Sequence, residues 1–203
     1  MIRPEGQIDS LANKITATGD VLVLAGLHRG IDTPAGAALT ASGLFVDVVD
    51  GPVARARGEN SDLGALFDAS SDKLKGAAIA YSIWRKGIVP DVVIAGMAVQ
   101  NLANGIATAQ AAKNHPGEKL LPSKRGKISM LFQNTALMSY DYGRIMENRA
   151  QELAAAEIPD VEKIAKCERS AKYARKFGHV AAGIGVVGLG IPATLGYIKR
   201  IKK

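Results

Sequence analysis

The chain has 203 residues, 47% hydrophobic side chains, a mean hydropathy of +0.06 and a formal net charge of +7. Its one cysteine, Cys167, excludes an intramolecular disulfide and a zinc site built on several thiolates. Aromatic side chains make up 5% of the chain, so the positive charge lacks the base-stacking residues of a nucleic-acid-binding protein and instead fits attraction to anionic lipid headgroups.

Six segments are predicted to be membrane-spanning helices, although the overall composition is polar for a membrane protein. The clearest is Val180–Ile198, which contains no charged residue, is long enough to cross a bilayer and has basic residues on both sides. Val92–Ala112 is also uncharged, and Ile128–Tyr140 is a shorter apolar segment. The three earlier segments contain charged residues. They are Lys14–Leu27, Pro34–Ala56 and Leu63–Trp84.

The charged residues of the first three segments are informative because ionisable groups are costly inside a membrane. Asp20, Lys73, Lys75 and several further aspartates lie in these segments. Such groups mark a functional site or line a polar cavity. The 22 glycines of the chain suit close packing of helices in lipid.

The distribution of basic residues predicts the orientation in the membrane. Six spans place both termini on one side, and the loops on that side hold Arg55, Arg57, the basic run Lys113–Lys127 and the basic C-terminus. We therefore expect the termini and the site to face the cytoplasm. The charge-balanced stretch from Arg144 to Lys176 is predicted to connect two spans on the other side, and a helix lying on the membrane stays open for it. Met1–Ser10 lacks the apolar core of a signal peptide.

One motif spans Asp47 to Asp72 and fills every position of the pattern D-x2-D-G-x2-A-R-x8-G-x3-D-x3-D. With average residue usage, this match arises by chance on the order of 10^-10 times per starting position. On helices the spacing places the first five residues on one stripe and the last three on another, with a polar turn between them. The sequence therefore predicts a helix hairpin with facing acidic stripes. The eight residues are Asp47, Asp50, Gly51, Ala54, Arg55, Gly64, Asp68 and Asp72.

The residue types of this motif predict a metal-dependent phosphate site. Four converging carboxylates repel one another unless cations neutralise them, and oxygen ligands suit Mg2+ or Mn2+. Two such ions form a clamp used in phosphoryl transfer. Arg55 can bind a phosphate, while Gly51 and Gly64 allow a ligand or a neighbouring helix to approach the backbone. The alternative is a solvated acidic helix face, which accounts for a single Asp-x2-Asp better than for the complete pattern.

The complete pattern resembles the signature of the CDP-alcohol phosphatidyltransferases. Fragments of it also resemble isoprenoid synthases and haloacid-dehalogenase phosphatases, but neither accounts for Arg55, Gly64, Asp68 and Asp72 together. The resemblance implies an all-α integral membrane bundle of about six transmembrane helices, with a polar cavity open to the cytoplasm. It implies one domain over residues 1–203, a homodimer, CDP-diacylglycerol as the donor and release of CMP.

The resemblance also implies roles for individual residues. Asp72 would be the general base that takes the proton of the acceptor alcohol. The metal ligands for two ions of Mg2+ or Mn2+ would be Asp47, Asp50, Asp68 and Asp72. The residues that bind the CDP-lipid would be Asp47, Gly51, Ala54, Arg55, Gly64, Asn13 and Thr16. For Asn13 and Thr16, which form an Asn-x2-Thr, a helix N-cap is the alternative interpretation.

The acceptor is predicted from residues outside the motif. The basic segment with Lys124, Arg125 and Lys127, followed by Gln133, resembles phosphatidylglycerophosphate synthases and would hold the phosphate of a small polyol phosphate, with glycerol 3-phosphate first. Ser129 departs from that branch, which usually has threonine there. An inositol phosphate and phosphatidylglycerol, the latter forming cardiolipin, stay open as acceptors.

Two functions of other classes also stay open. One is a soluble all-helical enzyme that acts on prenyl diphosphates, and the other is a non-catalytic membrane scaffold of the same fold. The run from Gly183 to Gly188 matches the G-x-G-x-x-G dinucleotide fingerprint, but the chain ends fifteen residues later, too early for a βαβ unit. It is interpreted as small-residue packing in the last helix.

Overall fold

The computed structural model describes residues 11–57, 62–114 and 124–201, and all regular structure in these ranges is helical. A π-helical segment, Ile184–Gly190, joins the last two helices without a break. The all-α prediction is therefore confirmed. The helices are α1 (Leu11–Arg29), α2 (Pro34–Arg57), α3 (Asp62–Arg85), α4 (Asp91–Asn114), α5 (Lys124–Ala154), α6 (Val161–Gly183) and α7 (Ile191–Ile201).

The helices have the dimensions of membrane spans. Helices α2, α3 and α4 each contain 24 residues. Such helices are about 36 Å long, and a bilayer's hydrocarbon core is about 30 Å thick. Among the described residues, Asp91–Ala111 and Val161–Gly196 are both long and apolar enough to cross a membrane, with mean hydropathies of 1.4 and 1.5. The described apolar part of α2, Pro34–Val46, is shorter than this criterion requires.

Many large apolar side chains point outward, and the interior holds small and polar side chains beside larger apolar ones. Phe45, Leu74 and Val92 are at least 70% exposed, whereas Ser129 and Ile83 are 1% exposed. Such an apolar surface is typical of helices packed in lipid. The chain divides into two compact units after Arg85, with α1–α3 in the first and α4–α7 in the second.

In the first unit, α1 and α2 form a close hairpin whose packing requires glycine. A Cβ at Gly43 would lie 2.5 Å from the carbonyl oxygen of Gly19 and 2.9 Å from the amide of Val23. The turn before α2 uses Gly30 at φ 95°. Thr33 caps α2, since its Oγ1 accepts a hydrogen bond from the Gly36 amide at 3.1 Å, and Pro34 follows at the first helical position.

In the second unit, α5 and α6 form an antiparallel hairpin over much of the long connecting stretch. This stretch, from Arg144 to Lys176, is therefore largely helical. Arg175 forms a bidentate pair with Glu147, with both N–O distances 2.7 Å, and these contacts join the two helices. Asp160 caps α6 by accepting hydrogen bonds from Lys163, which lower the pKa of Asp160. The high charge of this stretch reflects paired and exposed helix faces.

The π-helical segment is held by a buried polar network that involves α4 and α5. Ser129 Oγ donates to the carbonyl oxygen of Gly185 at 2.6 Å, and Gln133 Nε2 donates to Gln100 Oε1 at 2.7 Å. Asn101 completes the network by donating to Gln133 Oε1 at 2.9 Å. A Cβ at Gly185 would lie 3.0 Å from the Gln133 side chain, so small-residue packing is confirmed at this glycine of the G-x-G-x-x-G run. Gly183 and Gly188 have no such neighbour among the described atoms.

Replacing Gly43 by alanine is expected to destabilise the α1–α2 hairpin, because the new Cβ would overlap backbone atoms that cannot rotate away. The cost of such overpacking is typically about 1–3 kcal/mol. Gly105→Ala is the matched control: it also lies inside a helix, but a Cβ there meets no atom within 4 Å. Thermal unfolding in detergent should show a lower midpoint for Gly43→Ala and an unchanged or higher one for Gly105→Ala. Equal midpoints would contradict the proposed packing.

Candidate active site

The motif residues lie on two consecutive helices of the first unit. Five of them are on α2 and three are on α3, so the prediction that both halves are helical is confirmed. The helical backbone keeps the spacing that defines each stripe. Whether the stripes face each other depends on side chains outside those that the structure describes. These belong to Asp47, Asp50, Gly51, Ala54, Arg55, Gly64 and Asp68.

Asp72, the fourth motif aspartate, has a described side chain and lies beside a buried lysine. Its side chain is 56% exposed, and its Oδ1 is 3.4 Å from Nζ of Lys75, one helical turn further along α3. Lys75 is only 6% exposed. A buried ammonium group needs a carboxylate partner, because burial without one carries a large desolvation cost.

Helix α1 supplies a second carboxylate to the same lysine. Asp20 Oδ1 lies 3.1 Å from Lys75 Nζ, and Ser71 Oγ donates to the same oxygen at 2.6 Å. The charge network therefore joins α1 to α3 at the level of Asp72. The sequence showed Asp20 and Lys75 as costly charges inside predicted spans, but it gave no sign of their pairing. Two sequence features could have drawn attention to these residues: Asp20 is the one acidic residue of α1, and Lys75 is three residues after Asp72 on the same helix.

Asn13 and Thr16 both lie inside α1, on the described part of the chain. Thr16 is 2% exposed, and Asn13 is the third residue of the helix. The N-cap interpretation is therefore not supported for this pair. Their contact with a nucleotide stays a prediction.

The predicted acceptor residues lie in the second unit. Lys124, Arg125 and Lys127 are exposed in the first turn of α5. Ser129 and Gln133, which follow them, are buried in the network that holds the π-helical segment. Gln133, which contributed to the resemblance to phosphatidylglycerophosphate synthases, therefore has a structural role here. The basic residues before them stay a predicted acceptor site.

The motif provides a donor set that fits a divalent cation. Four aspartate carboxylates are oxygen ligands of the type that Mg2+ and Mn2+ prefer. Within the described side chains there is no cluster of three or more histidine, cysteine or acidic residues, and Asp72 is the one motif aspartate among them. The positions of bound metal ions therefore stay a prediction from the motif. The fit of the site to Mg2+ or Mn2+ rests on the four aspartate carboxylates.

The helical bundle, its outward apolar side chains and the aspartate-bearing helix pair define a class: integral membrane enzymes that act on phosphate-containing substrates. The family model for the CDP-alcohol phosphatidyltransferases matches residues 8–157. This match covers more than half of the chain and includes the whole motif, so the protein belongs to the CDP-alcohol phosphatidyltransferase family. Comparisons with curated proteins and with solved structures gave no match.

Membership in this family establishes the general activity. The protein is a transferase of phospholipid biosynthesis that moves a phosphatidyl group from CDP-diacylglycerol to an alcohol. The family is a membrane helical bundle and uses divalent metal ions. The alternative of a soluble prenyl-diphosphate enzyme is therefore dropped.

Removing divalent metal is expected to abolish CMP release, and adding Mg2+ or Mn2+ should restore it. Asp47→Asn should raise the metal concentration needed for half-maximal activity by at least about tenfold, because a ligand has lost its charge. Asp160→Asn is the matched control, since asparagine can still cap α6 and the residue lies far along the chain from the motif. Activity that survives exhaustive chelation would contradict a metal-dependent reaction.

Proposed function

We propose that this protein transfers the phosphatidyl group of CDP-diacylglycerol to a phosphorylated polyol, with glycerol 3-phosphate as the first candidate. The complete Asp47–Asp72 motif on α2 and α3 carries the donor half of this proposal. The exposed basic run at the start of α5 supports the acceptor half. Serine and choline rank lower as acceptors, because neither carries a phosphate that this positive charge would bind.

The motif aspartates have two roles in the proposed reaction. Asp47, Asp50, Asp68 and Asp72 would hold two ions of Mg2+ or Mn2+, whose contribution when bound is to neutralise charge on the diphosphate and on the leaving group. Asp47, Gly51, Ala54 and Arg55 would contact the CDP moiety. Gly64, Asn13 and Thr16 would complete the CDP-lipid site.

Asp72 is proposed to be the general base. The acceptor oxygen forms a bond to the β-phosphorus while the bond between that phosphorus and the CMP oxygen breaks, and CMP leaves with the electron pair. The acceptor proton passes to Asp72. A carboxylate is a weak base at neutral pH, so positioning and electrostatic stabilisation must supply much of the rate. The exposure of Asp72 supports this role, because the acceptor has to reach its carboxylate.

The proposal extends to assembly and orientation. Residues 1–203 would act as one membrane domain, present as a homodimer, with the active site on the cytoplasmic side. The basic residues of the predicted cytoplasmic loops support this orientation, because positive charge is retained on the cytoplasmic side during insertion.

Asp72→Asn is expected to abolish turnover while leaving binding of CDP-diacylglycerol measurable, because asparagine has a similar shape but cannot accept the proton. A general base contributes about 10^2–10^4-fold to a rate. CMP release with purified protein measures turnover, and a separate binding assay with the CDP-lipid measures affinity. CMP release near the wild-type rate would rule out Asp72 as the base.

The acceptor can be identified by following CMP release with CDP-diacylglycerol and each candidate alcohol in turn. Glycerol 3-phosphate should support the fastest release, ahead of inositol phosphate and phosphatidylglycerol. Lys127→Met should raise the KM for glycerol 3-phosphate by about 10–100-fold, since a hydrogen bond to a charged group contributes about 1.5–3 kcal/mol. The KM for CDP-diacylglycerol should stay unchanged. Lys166→Met, an exposed lysine of α6, is the control. A KM change shared by both variants would contradict a specific role of Lys127.

A further inference from the structure

Lys75 is an unusual residue for its position, because it places a charged group inside the first helical unit. It is 6% exposed, although it lies in a helix whose neighbouring residues include exposed Leu74. Lysine is almost never fully buried unless it is paired. Two carboxylates among the described side chains, Asp20 and Asp72, lie at 3.1 and 3.4 Å from it and come from different helices.

The two carboxylates differ in their exposure and in their hydrogen-bond partners. Asp20 is 27% exposed, and its Oδ1 lies 3.1 Å from Lys75 Nζ and accepts a hydrogen bond from Ser71. Asp72 is 56% exposed and meets Lys75 through Oδ1. The ammonium group of Lys75 therefore lies between the less exposed carboxylate of Asp20, which also binds Ser71, and the more exposed carboxylate of Asp72.

Stability alone gives a weak reason for such a network. A buried ion pair is often no more stabilising than apolar residues of the same size, because desolvation offsets the attraction. The helix pair α1–α3 could pack through apolar side chains at these positions. The charges are instead located beside the residue that the reaction would use as its base.

We propose that Lys75 is a positioning residue for Asp72, and that Asp20 acts through Lys75. This inference rests on the proposed role of Asp72 as the general base. The ammonium group engages one oxygen of the Asp72 carboxylate and fixes the orientation of the carboxylate plane. Rotation of the carboxylate is thereby restricted, so that it stays oriented for both of its proposed roles, as a metal ligand and as the acceptor of the hydroxyl proton. Asp20 and Ser71 limit the positions that the lysine side chain can adopt.

The test measures CMP release at saturating metal ion and CDP-diacylglycerol with the full chain in detergent. Lys75→Met should lower kcat by about 10–100-fold, the usual effect of removing a group that orients a site residue, while the KM for CDP-diacylglycerol changes by less than about twofold. Lys75→Arg should recover most of the lost rate, because arginine keeps the charge. Asp20→Asn should lower kcat less than Lys75→Met.

The double variant Asp20→Asn with Lys75→Met separates positioning from structure. It also removes the charge that Lys75→Met leaves on Asp20, so a role limited to pairing Asp20 with Lys75 predicts that activity returns with the folded protein. Positioning predicts that kcat stays as low as in Lys75→Met alone. Glu147→Gln, which breaks the ion pair between α5 and α6, is the matched control and should retain kcat. Size-exclusion profiles and thermal midpoints report folding for every variant.

The outcomes also separate this inference from the proposed function. If the wild type releases CMP and Asp72→Asn does not, but Lys75→Met keeps its kcat or the double variant regains it, then the positioning role is wrong and the base role stands. If Asp72→Asn turns over like the wild type, the base role fails, and the positioning role fails with it.

Discussion

A charge placed within a bundle of helices in lipid must have a partner, and this constraint determines much of the structure. Lipid offers no water to replace a missing hydrogen bond, so each buried polar group needs a counterpart on the same or a neighbouring helix. Lys75 obtains counterparts from Asp20 and Asp72. The same requirement explains why four motif aspartates imply metal ions, because without cations their charges would remain uncompensated.

The same constraint operates among uncharged groups in the second unit. Gln100 and Asn101 interrupt the apolar run of α4, and both are bonded to Gln133 of α5. The π-helical segment has irregular backbone hydrogen bonding, and Ser129 binds one of its carbonyl oxygens. Side chains from α4 and α5 thus form a network that supplies a partner to an irregular region that lipid alone would not tolerate. Small residues at the contacts, Gly185 among them, let these helices come close enough to do so.

The sequence was informative where the pattern was local and less so where partners are distant. The spacing of the Asp47–Asp72 motif required helices, and the start of α2 agreed with the predicted span to the residue, because Thr33 and Pro34 form a strong start signal. The helical hairpin formed by α5 and α6 was missed because its high charge resembles that of a loop. Asp20 and Lys75 were recognised as unusual, but 55 residues separate them along the chain, and no local pattern encodes their contact.

The length of the unbroken helical segment from residue 161 to 201 limits how much of it can lie within the membrane. At about 1.5 Å per residue it is roughly 60 Å long, about twice the thickness of the hydrocarbon core. At most about half of it can lie in lipid, and the charge-free part from Val180 to Ile198 matches that half. The remainder then lies beyond the hydrocarbon core, where Arg175 of α6 pairs with Glu147 of α5. The mean hydropathy of the whole chain does not reveal that this helical segment has a charged half and a charge-free half.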